Sequence, residues 1–165
     1  MTSSETLLKK QLKAVPKWLI WGFVILSFIG FLDATYLTVK HYLGVPINCS
    51  LFEGCEEVTS SQYATILDVP VSLVGIGFYL LIFVLMIAYL DTKKERILYF
   101  ISRLTFLGFI ASLWFLYLQL FVIKAICLYC IISFTTSTLL FILSLILLKS
   151  RTFSNKKVRD TIKEN

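Results

Sequence analysis

Histidine is nearly absent from this chain. His41 is the only one among 165 residues, and only four cysteines stand beside it: Cys49, Cys55, Cys127 and Cys130. A structural zinc site needs four converging nitrogen or sulfur ligands. Cys49 and Cys55 lack the usual CxxC spacing of such ligands, so no metal is expected. Charge is scarce as well. Asp, Glu, Lys and Arg make up 16% of the residues, where soluble domains carry about 25%. A chain that is 58% hydrophobic is neither disordered, nor a solvated repeat array, nor a small disulfide-rich secreted domain. Internal repeats and low-complexity segments are absent. The length suits one domain, and its solvent should be lipid.

What the sequence has in excess is long apolar runs. A membrane helix needs roughly 20 mostly apolar residues. Four windows qualify: about Trp18 to Thr38, Val71 to Leu90, about Leu104 to Ile123, and Ala125 to Leu148. The first is too long for a signal-peptide core and lacks a small-x-small cleavage site, so it is read as a retained helix. Only Asp33 brings a charge into any window. An ionisable group in a span is a functional candidate by default, although Asp33 stands near the outer end, within reach of water.

Fourteen of the sixteen Lys and Arg residues fall in the N-terminal segment, in the second connection with the foot of the third helix, or after Leu148. Only Lys40 and Lys124 lie on the other side. The positive-inside rule then places both termini in the cytoplasm, and it explains the basic tails more simply than nucleic-acid binding does. The expected organisation is a basic tail at 1–17, a four-helix domain at 18–148 and a second basic tail at 149–165. The exterior side holds a long connection, about 39–70, and a very short one near Lys124. Within the long connection, Thr59 to Leu67 is predicted to form a short surface helix capped by Thr59 or Ser60.

All four cysteines fall on the exterior side of this topology, where disulfides form and persist. Cys127-Leu-Tyr-Cys130 is a CxxC at a helix start. Its spacing puts both sulfurs on one face, a turn apart. A helix N-terminus stabilises a thiolate. Packed cysteines or a structural staple are the competing readings. A second pair on the same side favours redox chemistry, and closing the small Cys49–Cys55 loop stabilises little. Two pairs at different depths suggest a relay. The loop pair can meet a soluble protein, and the helix pair lies where a lipid-soluble two-electron acceptor arrives. Lys124 is read as an interface anchor, or as a cation favouring a Cys127 thiolate. Gln119 is a candidate for a hydrogen bond across helices. Phe78, Phe83, Trp114, Phe115 and Tyr117 are candidates to flank a quinone ring. Gly75 and Gly77 are read as sites of close helix approach.

The chain resembles prokaryotic members of the vitamin K epoxide reductase family. The matching residues are Tyr36-Leu-Thr-x-Lys40, Cys49-x5-Cys55, Val58-x-x-Ser61-x-Tyr63, Val69-Pro70-Val71 leading to Gly75 and Tyr79, and Cys127-Leu-Tyr-Cys130. The resemblance covers about residues 18 to 148. It implies an all-α integral membrane four-helix bundle around a quinone pocket, with the exterior cysteine loop capping the site. It further implies a thiol oxidase acting as a monomer in the cell (inner) membrane. Such an enzyme reoxidises a DsbA-like thioredoxin-fold protein and reduces a quinone of the ubiquinone or menaquinone type. By this resemblance Cys49 takes the partner's attack, Cys55 attacks Cys127, Cys130 faces the quinone, and Ser61 helps hold the cysteine loop or the quinone.

Departures accompany the match. Many bacterial homologues carry a fused thioredoxin-like domain after the last helix. Only residues 149–165 follow here, so the partner is expected to be a separate protein. Phe134 stands where vertebrate enzymes have a Tyr, and residues 71–90 contain no Asn, which argues against vitamin K epoxide as the substrate. Three alternatives remain beside the thiol oxidase: a reductase of small quinones or epoxides, a DsbB-type oxidase, and a non-enzymatic membrane scaffold with two structural disulfides. The DsbB plan keeps both cysteine pairs in exterior loops, unlike the CxxC at a helix start here.

Overall fold

The computed structural model describes residues 16–45, 47, 54–66, 69–92 and 94–163, with side chains to Ser150 except those of Ile66 and Glu95. Long apolar stretches leave the backbone one choice in lipid. No water pairs with its N–H and C=O groups there, so each segment must satisfy them internally as a helix. The described elements are α1 (Lys17–Leu43), a short α2 (Cys55–Thr59), β1 (Thr65–Ile66), β2 (Val69–Pro70), α3 (Val71–Thr92), α4 (Glu95–Tyr117), a π-helical turn (Leu118–Ile123) and α5 (Leu128–Lys163). Among the described residues, four helical segments are long and apolar enough to cross a membrane: Lys17–Leu43, Val71–Thr92, Arg96–Ile123 and Leu128–Ser150.

The expected all-α membrane bundle is what the chain forms. Around the bundle, α1 packs against α3 and α5, and α4 packs against the same two. Its exterior is strongly apolar, with Trp21, Ile25, Leu107 and Phe121 all exposed. Its interior carries buried hydroxyls instead. Ser144 donates to Ser102 at 2.8 Å between α5 and α4, and Thr38 donates to Ser72 at 2.9 Å between α1 and α3. Lipid offers no hydrophobic drive between helices, so close packing and such polar links hold the bundle. Glycines make room for two rings. A methyl group at Gly30 on α1 would collide with the Tyr79 ring, and one at Gly108 on α4 with the Phe78 ring.

The buried side chains form two clusters. One holds Leu19, Phe23, Ile82, Met86, Ile101, Leu140 and their neighbours. The other joins Leu37, Ile47, Cys55, Val58, Ala125 and Cys127 at the end of the bundle where α1 finishes and α5 begins. At that end α1 stops on Gly44, whose φ of 60° is left-handed, and its N–H bonds back to the His41 carbonyl at 3.2 Å. This is a glycine helix stop.

The structure corrects several boundaries. No helix spans Thr59 to Leu67. The short helix lies earlier, at Cys55–Thr59, and the chain is strand at Thr65–Ile66; Leu67 lies outside the described residues. Thr59 and Ser60 end the helix instead of starting it. Thr59 Oγ1 donates back to the Cys55 carbonyl at 2.8 Å and Ser60 Oγ to the Glu56 carbonyl at 2.7 Å. Glu56 and Glu57 fill the first turn, where the helix dipole favours negative charge. The first span runs on to Leu43 and the third helix begins at Glu95, because polar flanks extend a helix that hydropathy alone cuts short. The fourth begins at Leu128, three residues later than Ala125. Basic residues after Leu148 continue α5 to Lys163. At 1.5 Å per residue α5 is about 54 Å long, well beyond a hydrocarbon core of about 30 Å.

Candidate redox site

The site begins with how α5 starts. The π-helical turn ends at Lys124, an exposed residue with a left-handed φ of 58°. That reversal turns the chain through Ala125 and Ile126 and delivers Cys127 to the N-cap of α5. Its carbonyl accepts the N–H of Ile131 at 3.1 Å, the first bond of the helix. The Cys127 sulfur therefore meets the free N–H groups of the first turn. The Cys127 thiol is lowered to about 7. A hydrogen bond from the Cys130 thiol is the main cause; burial opposes it, and the backbone N–H groups of Cys130 and Tyr129 add to it. The cation reading of Lys124 does not enter this balance.

Cys127 is held from a second side. Its backbone N–H donates to Gln119 Oε1 at 3.2 Å. Gln119 is buried in the π-helical turn, a wide turn often found at functional sites. The expected cross-helix hydrogen bond of Gln119 is thus made to the backbone just before α5.

The loop is pressed onto this turn at Gly54. A methyl group there would lie 2.8 Å from the Ile126 nitrogen and 2.9 Å from the Ala125 side chain. Cys55 follows directly. It is disulfide-bonded and 1% exposed, and Cys127 is fully buried in the same cluster. Cys127 and Cys130 are free thiols. Cys49 lies outside the described residues. Three of the four expected cysteines thus meet at one end of the bundle.

Beneath them, between the helices, lies a cavity of about 460 Å³, within the range of small-molecule sites. Cys130 and Ser61 are both on its wall, and so are Phe78, Tyr79, Phe115 and Phe134. Ser61 is fixed there by donating to the Val58 carbonyl at 2.7 Å. The neighbouring Ser60 does not line this cavity. A flat apolar ring with polar edges, such as a quinone, fits walls of this kind.

Of the five aromatic residues expected to flank such a ring, Phe78 and Phe115 line the cavity. Phe83 instead packs near Phe28, with ring centroids 6.5 Å apart. Trp114 and Tyr117 stack on each other at 5.9 Å on the exposed surface. Gly75 does bring helices together, its position 3.4 Å from the Ala34 methyl, whereas Gly77 has nothing within 4 Å. Tyr79 and Phe134 were not among the expected ring neighbours. Tyr79 is buried, and its hydroxyl lies 3.0 Å from the Ser133 carbonyl and 2.9 Å from Thr136 Oγ1. Hydropathy carries no signal for the inward side of a helix that is apolar all round. Asp33 is buried at 8% exposure, not out in water.

The vitamin K epoxide reductase family matches residues 21–145. The chain belongs to that family. The match contains all four cysteines and the cavity. Membership makes the protein an oxidoreductase, and the four apolar helices make it a multi-pass membrane protein. No individually curated protein matches the sequence.

Proposed function

We propose that this protein is a membrane thiol oxidase that passes electrons from a separate thioredoxin-fold, DsbA-like protein to a membrane quinone, and so supports disulfide formation. The observation that carries the reading is the convergence of a disulfide-bonded Cys55, a thiolate-favouring Cys127 and a cavity-facing Cys130. The cysteine end faces the exterior, the termini face the cytoplasm, and the basic residues at the opposite helix ends support that orientation.

The chemistry balances in three exchanges. A partner thiolate attacks Cys49 of the Cys49–Cys55 disulfide, and the partner's second thiol then completes its own disulfide. The loop pair is left as two thiols. Cys55 next attacks Cys127 of the inner disulfide. Cys130 leaves as thiolate, and Cys49 restores the loop disulfide. Finally, Cys127 and Cys130 rejoin, and two electrons and two protons pass to quinone to give quinol. Cys130 and Ser61 are the residues on the quinone's wall, and Phe78, Phe115 and Phe134 supply apolar contact.

A reductase of small quinones or of vitamin K epoxide is the second reading, favoured by the family's name. The test is quinone reduction by the purified protein, driven by a reduced thioredoxin-fold protein. Turnover in the wild type that is lost in Cys130→Ala supports the oxidase. Failure with every dithiol partner, alongside reduction of a quinone or epoxide driven by small thiols, favours the second reading. No reduction of any quinone or epoxide with either donor favours a structural scaffold.

A further inference from the structure

Asp33 is a buried carboxylate inside a membrane span that the relay does not use. It lies on the face of α1 that meets the site. Three residues before it, Gly30 abuts the Tyr79 ring. Four residues after it, Leu37 packs in the cluster that holds Cys55 and Cys127. Positions i−3 and i+4 share one helix face, so the Asp33 side chain is set between Tyr79 and the cysteines. It is buried, and its Oδ2 has no hydrogen-bond partner. A carboxylate oxygen left unpaired in such a place is costly to keep.

The titratable groups around Asp33 come from each packed element. Cys127 and Cys130 stand at the head of α5, Tyr129 lies beside them, and Tyr79 stands on α3; each interacts with Asp33 electrostatically. Gln119, on the π-helical turn after α4, does not titrate and is held by the Cys127 backbone N–H. Lys40, two turns along α1, is directed over the Tyr36 ring at 5.8 Å. The pressure on Asp33 is therefore anionic. A carboxylate and a thiolate buried together cannot both remain ionised without mutual repulsion. One proton held between them relieves it.

We propose that Asp33 is the proton partner of Cys127, taking the thiol's proton as the thiolate forms and releasing it toward the quinone when quinone is reduced. This inference rests on the thiol-oxidase reading. In the last exchange two S–H bonds break, one S–S bond forms, and two electrons and two protons pass to quinone. Asp33 carries one of those protons, from the Cys127 sulfur toward the quinone oxygens. It serves as a local store, so that the thiolate forms without a proton having to travel to the membrane surface.

The test is a pH titration of thiolate ultraviolet absorbance in the fully reduced, full-length protein, paired with the pH profile of quinone reduction. Asp33→Asn keeps the shape and removes the charge; Asp33→Glu keeps the acid. In the wild type the carboxyl and thiol should titrate together, giving a broad, two-step rise in thiolate. In Asp33→Asn, Cys127 should titrate in one step, with its midpoint lower by about one pH unit. Quinone turnover should fall at least about tenfold, and Asp33→Glu should restore part of it. An unchanged thiolate titration, or turnover unchanged at every pH in an active enzyme, overturns the proposal. A wild type that reduces no quinone sinks the oxidase reading instead, and the titration alone then decides the proton sharing.

Discussion

Gln119 accepts the backbone N–H of Cys127 at 3.2 Å, so the reactive end of α5 is tied to the end of α4. A π-helical turn makes the tie possible. It widens the helix and carries Gln119 into the buried interior. Replacing Gln119 with Leu should leave the Cys127 N–H buried and unpaired, at a cost of about 1–3 kcal/mol. Thermal unfolding in detergent should register that loss. Quinone turnover should fall several-fold, because the sulfur loses its fixed position. Gln119→Glu keeps an acceptor and should be milder in stability; equal loss in both variants would contradict the account.

The Cys127 thiol gives a signed pH dependence. Its folded value of about 7 lies below the ordinary thiol value of about 8.5. The folded state therefore favours the thiolate. The resulting stability is fully present above the unfolded value and is lost as pH falls through 7. Thermal midpoints of the reduced protein and of Cys127→Ser should diverge as pH rises between about 6 and 9. Cys130→Ala removes the main cause of the lowering, and the thiolate midpoint should then move up toward that of an ordinary thiol.

Glycines supply a test of packing with an internal control. Gly30→Ala and Gly108→Ala push a methyl group into the Tyr79 and Phe78 rings. Each should destabilise the bundle by about 1–3 kcal/mol and reshape the cavity, raising the KM for quinone. Gly77→Ala meets nothing within 4 Å and should be neutral or stabilise by up to about 1 kcal/mol. Equal effects at all three positions would argue against this packing.

Tyr79 links α3 to α5 through its hydroxyl, which meets Ser133 and Thr136. Tyr79→Phe keeps the ring on the cavity wall and removes that link. The expected cost is about 0.5–1.5 kcal/mol, with the cysteine titration unchanged. A shift in the Cys127 titration as large as that of Asp33→Asn would mean that the hydroxyl, not the carboxylate, is the coupled group.

Much of this architecture is legible in the sequence, because membrane helices obey a length rule. Four spans were recoverable from hydropathy, and the family from its spaced cysteines. Helix ends were less so. Leu104 opened the third hydrophobic window, yet the helix begins at Glu95, since charged residues propagate a helix without raising its hydropathy. Thr59 and Ser60 have the chemistry of a helix start, but the same hydroxyls bond backward to carbonyls and close one. The inward sides of the helices were the hardest to read. Tyr79 and Trp114 both belong to apolar runs, yet one is buried at the site and the other faces outward. Asp33 was visible as a charge in a span, but its burial depends on Leu37 and Gly30 turning the same face inward.

In the proposed relay, electrons cross from the loop pair to the helix pair through Cys55 and Cys127. The most direct test is a variant carrying both Cys49→Ala and Cys130→Ala, which leaves those two cysteines without their own partners. Peptide mapping under non-reducing conditions, after mild oxidation of the purified protein, reads out the bond. The account predicts an intramolecular Cys55–Cys127 disulfide in most molecules, because both sulfurs share one buried cluster. Two free thiols, or disulfides only between separate molecules, would contradict it.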